Sequence, residues 1–130
     1  MCNLAYSNLT KMIITDNTKV IETLNTLLEK EAYISIDRKD IDKMFPDISQ
    51  IHLINVAGSD ERAVIQAFNE DYTALQNKPK AAAEFFLSQS LTMSGLQTLN
   101  EGIPAPDVYK RAILFETSSA GAIDFYYFYL

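Results

Sequence analysis

The sequence contains very few of the residues from which disulfides and metal sites are built. One cysteine, Cys2, and one histidine, His52, occur among 130 residues. A single cysteine cannot form a disulfide within the chain, and it excludes the metal sites that combine paired cysteines and histidines. Chains without disulfides are typical of reducing compartments, so we expect an intracellular, cytoplasmic protein with no metal ion and no cofactor.

Long apolar runs are also missing. The first fifteen residues, MCNLAYSNLTKMIIT, have neither the basic head nor the sustained apolar run of a secretory signal. No later stretch approaches the roughly 18 apolar residues that a membrane-spanning helix needs. We therefore expect no membrane partner.

Positive charge is scarce as well. Eleven Lys and Arg residues stand against seventeen Asp and Glu residues, which gives a net charge of -6. This excess of negative charge repels the phosphate backbone, which supplies most of the affinity of nucleic-acid binding proteins. We therefore expect no nucleic-acid partner, whereas an acidic surface favours solubility and suits a basic protein partner.

Motifs of known chemistry are absent too. The sequence has no GxxxxGK[ST] or GxGxxG phosphate-binding loop and no GxSxG nucleophile turn. The segment VAGSDERA does place Gly58 at a turn before a helix, where backbone amides can bind phosphate. Asp60 and Glu61 bring their own negative charge to that position, so we interpret Ser59 or Asp60 as a helix cap.

Three aspartates, Asp37, Asp40 and Asp42, lie close together in the segment DRKDID and raise the question of a cation site. Their spacing does not match a calcium-binding EF-hand loop. Basic residues are interleaved with them, and Asp37 is well placed to cap a short helix that ends before Pro46. We therefore predict a solvated helix start and no metal site.

Apolar periodicity predicts two longer helices in the first half of the chain. The apolar residues of NTKVIETLNTLLE recur at helical spacing, as do those of ERAVIQAFNEDYTAL. The short segments KMIIT, AYISID and IHLINV are typical of strands. Because IHLINV is apolar on both faces, we expect it near the middle of a sheet.

The second half is predicted to begin with helical structure. Pro79 opens the segment PKAAAEFFLSQSL, and the first turn of a helix tolerates proline because the missing amide proton has no partner there. We predict a helix over this segment. The segment TMSGLQTLNEG either extends this helix or adds another turn, and Gly102 is placed to end it.

A hairpin is predicted at the C-terminus. YKRAILFET and AIDFYYFYL are rich in β-branched and aromatic residues, and SSAG between them suits a four-residue loop with Gly121 at positive φ. Together these elements predict a single α/β or α+β domain over residues 1–130. Its helices pack on a mixed sheet that ends in a C-terminal antiparallel hairpin.

Five consecutive aromatic residues, at positions 125–129, occupy the last predicted strand. Strand alternation places Tyr126, Phe128 and Leu130 together on one face, although a surface strand of a monomer would carry polar residues there. We predict that these three residues form an interface with a second subunit or another protein. The alternative is that the protein's own residues, such as PKAAAEFFLSQSL, cover this face and make the strand part of the core.

Two segments resemble parts of the tubulin and FtsZ-type GTPases. ISIDRKDIDKMF is similar to the stretch of that family that leads from a strand into a helix with acidic residues, and GSDERA is similar to the Gly-acid-Arg-Ala stretch that follows it in FtsZ. The glycine-rich nucleotide loop of the family has no counterpart in this sequence. The resemblance therefore implies a shared strand and helix arrangement and no GTPase activity.

Three classes of function fit these observations. We expect a non-enzymatic protein that acts through protein–protein contact, either as an assembly subunit in a homo-oligomer or as an inhibitor or immunity-type binder. One alternative is a small enzyme that uses carboxylates, for which Glu116, Asp124 and His52 are the candidates in predicted strands; a pocket holding two of them would support it. Another is a small-molecule binder in which the tyrosine-rich sheet face forms one wall of an apolar cavity.

Overall fold

A computed structural model describes residues 11–14, 17–89, 91–114 and 123–130. Within these ranges the chain forms six strands, four α-helices and one 3-10 turn at Ile48–Gln50. In chain order the elements are β1 (Lys11–Ile14), α1 (Asn17–Leu28), β2 (Ala32–Ile34), α2 (Arg38–Met44), β3 (His52–Gly58), α3 (Glu61–Thr73), β4 (Ala81–Leu87), α4 (Met93–Gly102), β5 (Val108–Leu114) and β6 (Ile123–Tyr129). The α+β class and the mixed sheet are confirmed.

The helices α2, α3 and α4 begin at side chains that cap them. The Asp37 carboxylate accepts a hydrogen bond from the Asp40 amide at 2.9 Å, and the Asp40 carboxylate accepts one from the Asp37 amide at 3.3 Å. Asp60 caps α3 by accepting from the amide of Ala63 at 2.9 Å. Thr92 caps α4 in the same way. Since each cap satisfies an amide that lacks a helical partner, these residues fix where the helices start.

The strands form one sheet in the order β1-β3-β6-β4-β5-β2. β4 and β5 run parallel, and every other neighbouring pair is antiparallel. β3 lies in the interior of the sheet, as its apolar pattern predicts. β6 lies deeper still, with β3 on one side and β4 on the other.

Helices cover both faces of this sheet. Buried residues of α1 and α2 pack on one face, which we call the α1–α2 face, together with Phe85 and Phe128. Buried residues of α3 and α4 pack on the other, the α3–α4 face, together with Phe86 and Phe125. Each of the central strands therefore contributes apolar side chains to two cores, which is why these strands lack polar alternation.

Gly58 makes room for α3 at the end of β3. A Cβ atom at this position would lie 2.7 Å from the Cβ of Ala63 and 3.0 Å from the backbone nitrogen of Val64. Both distances are shorter than van der Waals contact. Glycine therefore allows the first turn of α3 to approach the strand that precedes it.

The predicted helix over PKAAAEFFLSQSL is wrong, because Ala81–Leu87 forms the strand β4 and is buried throughout. The reason lies in the neighbouring strand. Ala82 is paired with Tyr129 and Ala83 with Phe128, so small residues of β4 lie beside large aromatic ones of β6. The following segment forms α4 as a separate helix.

The two C-terminal strands are present and run antiparallel to each other, as predicted. They do not pair directly, because β4 lies between β5 and β6. β6 instead pairs with β3 over seven residues and with β4 over six. The predicted hairpin is corrected in this respect, and the expected loop with Gly121 lies outside the described residues.

Candidate functional site

The C-terminal aromatic residues belong mainly to the core. Phe125 stacks on Phe86 with a centroid distance of 4.4 Å, and Tyr127 makes an edge contact with Phe68 at 4.7 Å. On the opposite face Phe128 contacts Phe85 at 5.6 Å. The aromatic run exists because β6 is a central strand whose two faces are both covered.

The three predicted interface residues therefore have different surroundings. Phe128 is fully buried on the α1–α2 face, so the interface assignment is corrected at this position and the core alternative holds. The cover comes from α1 and α2 and not from PKAAAEFFLSQSL, which forms the strand alongside. Tyr126 is half-buried and Leu130 is exposed, and for these two an interface role stays a prediction.

Asp124 is part of a buried polar network. It is 3% exposed and accepts a hydrogen bond from the Asn55 Nδ2 at 2.8 Å. Burial, together with the neighbouring Asp124 carboxylate, raises the pKa of Tyr126 to about 12. The Asp124 carboxylate thus satisfies buried donors on β3 and β6, which is a structural role.

Two of the three enzyme candidates, His52 and Asp124, do not meet in one site. His52 is exposed at the start of β3, where it is paired with Tyr129, whereas Asp124 is paired with Ala57 near the other end of the strand. Alternation also places the two side chains on opposite faces of the sheet. Glu116, the third candidate, lies outside the described residues.

The aspartate segment forms the helix start that the sequence predicts. Asp37 and Asp40 cap α2 reciprocally, and Asp42 is exposed on the same helix. In the part of the chain that the structure describes, no group of three or more His, Cys, Asp or Glu side chains is placed to hold a metal ion. In the same residues, no helix has both the length and the apolar character needed to cross a membrane.

The tyrosine-rich face of β6 is covered by α3 and does not form the wall of an enclosed cavity. Only its last residue, Tyr129, borders open space, at a cleft of about 940 Å³ that Leu130 and the loop at residues 74–80 also line. Lys78 and Lys80 are exposed at this cleft. It is a wide opening lined by both polar and apolar residues, and it differs from the enclosed apolar cavity that a small-molecule binder would need.

Exposed apolar side chains are concentrated at the other side of the sheet, at the edge strand β2. Tyr33 is 67% exposed, Ile34 50% and Met93, in the first turn of α4, 81%. They line an apolar groove of about 360 Å³ together with Leu91, Thr92, Leu96 and Ile113. We call Tyr33, Ile34 and Met93 with this groove the β2-edge surface.

Next to the β2-edge surface, β5 has an open edge. β2 pairs only with Ile113 and Leu114, at the end of β5. Among the described residues, no strand pairs with the outer side of Val108–Ala112. Val108 and Tyr109 are 52% and 44% exposed, so large apolar side chains continue along this edge.

A buried ion pair connects β5 to its inner neighbour β4. Glu84, in the middle of β4, is fully buried, and its Oε1 accepts hydrogen bonds from the Nε of Arg111 at 2.8 Å and from its Nη2 at 2.6 Å. The Arg111 guanidinium lies over the rings of Phe86 and Tyr109, at 5.6 Å and 5.4 Å from their centroids. The pair therefore ties β5 to β4 and supports Tyr109.

The sequence did not reveal the Glu84–Arg111 pair or the β2-edge surface, for identifiable reasons. Because the segment of β4 is predicted as a helix, Glu84 is not among the carboxylates expected in strands. The signal for the β2-edge surface was present but weak: Met93 directly follows the cap Thr92 and lies off the stripe formed by Gly95 and Leu99, which are buried.

Comparison with known proteins adds no further information, because no protein-family model, curated protein or solved structure matches the chain. The local resemblance to the tubulin and FtsZ family therefore has no support from a family match.

Proposed function

We propose that the protein acts by contact with another protein and that the β2-edge surface makes this contact. The observation that carries the proposal is the grouping of Tyr33, Ile34 and Met93 around one apolar groove at a sheet edge. Isolated exposed apolar residues are normal on soluble proteins, whereas contiguous groups of them mark interaction sites. Tyrosine and methionine are also among the residues enriched in interfaces.

The backbone beside the groove favours the same function. Strand edges present unpaired amide and carbonyl groups, which a strand from another chain can pair with. The open side of Val108–Ala112 continues from the β2-edge surface along the same strand. A partner could therefore combine apolar contact in the groove with backbone pairing on β5. The partner is either a second copy, which makes the protein an assembly subunit, or a different protein that it binds as an inhibitor does.

Ion pairing is a minor part of this contact. The groove is lined by apolar side chains with the single exception of Thr92. Salt weakens contacts between exposed charges much more than it weakens apolar contacts. We therefore expect that high salt does not release the partner, although the chain carries a net charge of -6.

The test compares the wild type with two sets of substitutions. The double variant Tyr33→Ser/Met93→Ser removes the apolar side chains of the β2-edge surface, and Leu130→Ser removes an exposed apolar side chain elsewhere. Light scattering at several concentrations detects a second copy. Capture from the source cells, with quantitative mass spectrometry, detects another protein. Far-UV circular dichroism checks that each variant is folded.

We expect the wild type and Leu130→Ser to retain one specific partner and the double variant to lose it. Retention by the folded double variant would contradict the proposed surface. Loss caused by Leu130→Ser would place the contact at the end of β6 instead. A wild type that stays monomeric and captures nothing would contradict the proposed function as a whole.

A further inference from the structure

The Glu84–Arg111 pair has an asymmetric environment. Both hydrogen bonds from Arg111 go to the Oε1 of Glu84. The second carboxylate oxygen, Oε2, is buried and accepts no hydrogen bond from the described residues. The Arg111 side chain is 15% exposed, whereas that of Glu84 is completely buried. Glu84 is thus fixed in place, while Arg111 has a route to solvent.

Tyr127 lies next to this carboxylate on the α3–α4 face. It is the residue of β6 that is paired with Glu84, and its hydroxyl is likewise buried and makes no hydrogen bond within the described part of the chain. Burial raises the pKa of Tyr127, and the charge of Glu84 and the neighbouring Tyr72 and Tyr129 raise it further. Tyr127 therefore stays protonated, and Arg111 is the group that opposes the charge of Glu84.

We propose that Glu84 and Arg111 form a proton-sensitive latch, in which protonation of Glu84 releases Arg111 toward solvent and frees Tyr109 at the open edge of β5. One proton from solvent binds at the Oε2 of Glu84, and no covalent bond to carbon changes. The neutral carboxyl group can then donate to the hydroxyl oxygen of Tyr127 after a small shift. Arg111 loses its counter-charge.

The release of Arg111 follows from the cost of an unpaired charge in a largely buried place. A cation that has lost its partner is strongly disfavoured away from water. Arginine can keep its aliphatic stem on an apolar surface while its guanidinium turns to water, and the partial exposure of Arg111 at an edge strand allows this. While the pair is intact, the guanidinium lies over the ring of Tyr109. When Arg111 turns to solvent, Tyr109 loses this contact and changes its position.

The electrostatics agree with a latch that opens in folded protein. Burial raises the pKa of Glu84 more than the charge and hydrogen bonds of Arg111 lower it. A raised pKa in the folded state means that proton binding favours the folded over the unfolded chain. Protonation of Glu84 therefore opens the pair without destabilising the folded chain. It takes place above the pH range in which a glutamate ordinarily titrates.

The latch does not depend on the proposed function, because the release of Arg111 on protonation of Glu84 takes place within this chain. It would regulate the proposed surface, since Tyr109 lies on the open strand beside it. Its test therefore measures the exposure of Arg111 and needs no partner.

The experiment is a pH titration of the isotope-labelled wild-type protein by nuclear magnetic resonance, from pH 7.5 downward. Three signals are followed: the side-chain carboxyl carbon of Glu84, the exchange rate of the Arg111 Nε proton, and the ring protons of Tyr109. The exchange rate of the Arg111 Nε proton is compared with that of free arginine at the same pH, because acid slows this base-catalysed exchange in any arginine. We expect the protection of Arg111 in this comparison to fall at least tenfold and the Tyr109 signals to shift, both with the midpoint of the Glu84 titration. The backbone amide signals should remain those of a folded protein.

Two variants separate this latch from a general response to acid. Glu84→Gln removes the charge, and we expect the Arg111 Nε proton of this variant to have low protection, relative to free arginine at the same pH, across the whole titration. Asp124→Asn removes a second buried carboxylate, which lies on the opposite face of the sheet, and should leave the Arg111 transition unchanged. If Glu84→Gln does not fold, the wild-type titration still decides.

Three results would overturn the proposal. The first is an Arg111 Nε proton that stays protected while Glu84 becomes protonated. The second is a Glu84 carboxyl group that takes up its proton only as the fold is lost. The third is a folded Glu84→Gln variant in which Arg111 remains as protected as in the wild type.

Discussion

The centre of the sheet and its β2–β5 edge are both rich in apolar and aromatic residues, but these residues have opposite environments. In β6 the side chains of Phe125, Tyr127 and Phe128 are fully buried under the protein's own helices. At the edge Tyr33 and Met93 remain mostly exposed. An apolar strand is thus evidence of an interface only where no element of the same chain covers it.

The energetic consequences of this difference are large. Burying an aromatic side chain stabilises the fold, so its removal leaves a cavity and costs stability. Removing an exposed side chain costs little stability but reduces whatever contact it makes with a partner. Substitutions at the two places should therefore separate effects on folding from effects on binding.

The largest effect is expected at the centre of the sheet. Phe128→Ala should lower the free energy of unfolding by about 3–5 kcal/mol, because the ring is fully buried between Phe85 and the helices of the α1–α2 face. Urea denaturation measures this value. Leu130→Ala, two residues away on the same face of the strand, should change it by less than about 0.5 kcal/mol. Equal effects at both positions would contradict the assignment of Phe128 to the core.

The second effect concerns the Glu84–Arg111 pair, which connects β4 with β5 at the edge. Arg111→Ala leaves the Glu84 carboxylate buried without its cation, and we expect a loss of about 2–3 kcal/mol near pH 7, below the value for a fully buried pair because Arg111 is partly exposed. Urea denaturation at several pH values measures it.

The pH dependence of that loss has a defined sign. The pKa of Glu84 is raised in the folded state, so its contribution to stability is fully present below the unfolded-state pKa and is lost as the pH rises through the folded-state pKa. In Arg111→Ala the deficit relative to the wild type should therefore shrink as the pH falls and Glu84 becomes protonated. A deficit that is constant from pH 7 to pH 4 would argue against a buried charge at Glu84.

A smaller effect is expected at the cap of α3, the helix that covers the α3–α4 face. Asp60→Ala removes the acceptor for the Ala63 amide and should cost about 1 kcal/mol. The adjacent Ser59→Ala is the matched control and should change stability by less than about 0.5 kcal/mol. Thermal denaturation of the two variants compares them, and the reverse order of effects would assign the cap to Ser59.

The helices α1, α2 and α3 could be predicted from the sequence because their signals are local. Asp37 and Asp60 satisfy amides within three residues of themselves, and apolar residues at helical spacing identify the buried stripe of α3. Such contacts do not depend on which strand lies beside which. The short strands β1 to β3 were predicted for a similar reason, since β-branched runs between turns have few alternatives.

β4 could not be predicted, because its composition is set by a distant part of the chain. Ala82 and Ala83 are small because Tyr129 and Phe128 occupy the space beside them. A strand buried on both faces also shows no alternation that would distinguish it from a helix. The same limit applies to the candidate site: the sequence contains Tyr33, Ile34 and Met93, but only the sheet order brings β2 and α4 together.

The smallest effect on stability is expected at the β2-edge surface. Tyr33→Ser and Met93→Ser should each change the free energy of unfolding by less than about 0.5 kcal/mol, since both side chains are mostly exposed. Urea denaturation of the single variants checks this. A loss of several kcal/mol would mean that these residues support the fold and are not reserved for a partner.

A photoreactive amino acid, p-benzoylphenylalanine, placed at Tyr33 and, in a separate variant, at Leu130, tests the proposed contact surface directly. Both positions are exposed and apolar, but only the first belongs to the β2-edge surface. After irradiation in the source cells, we predict a covalent adduct from position 33, with the mass of a second copy or of one other protein, and no specific adduct from position 130. An adduct from position 130 alone, or none from position 33, would contradict the claim that the edge of the sheet is the contact surface.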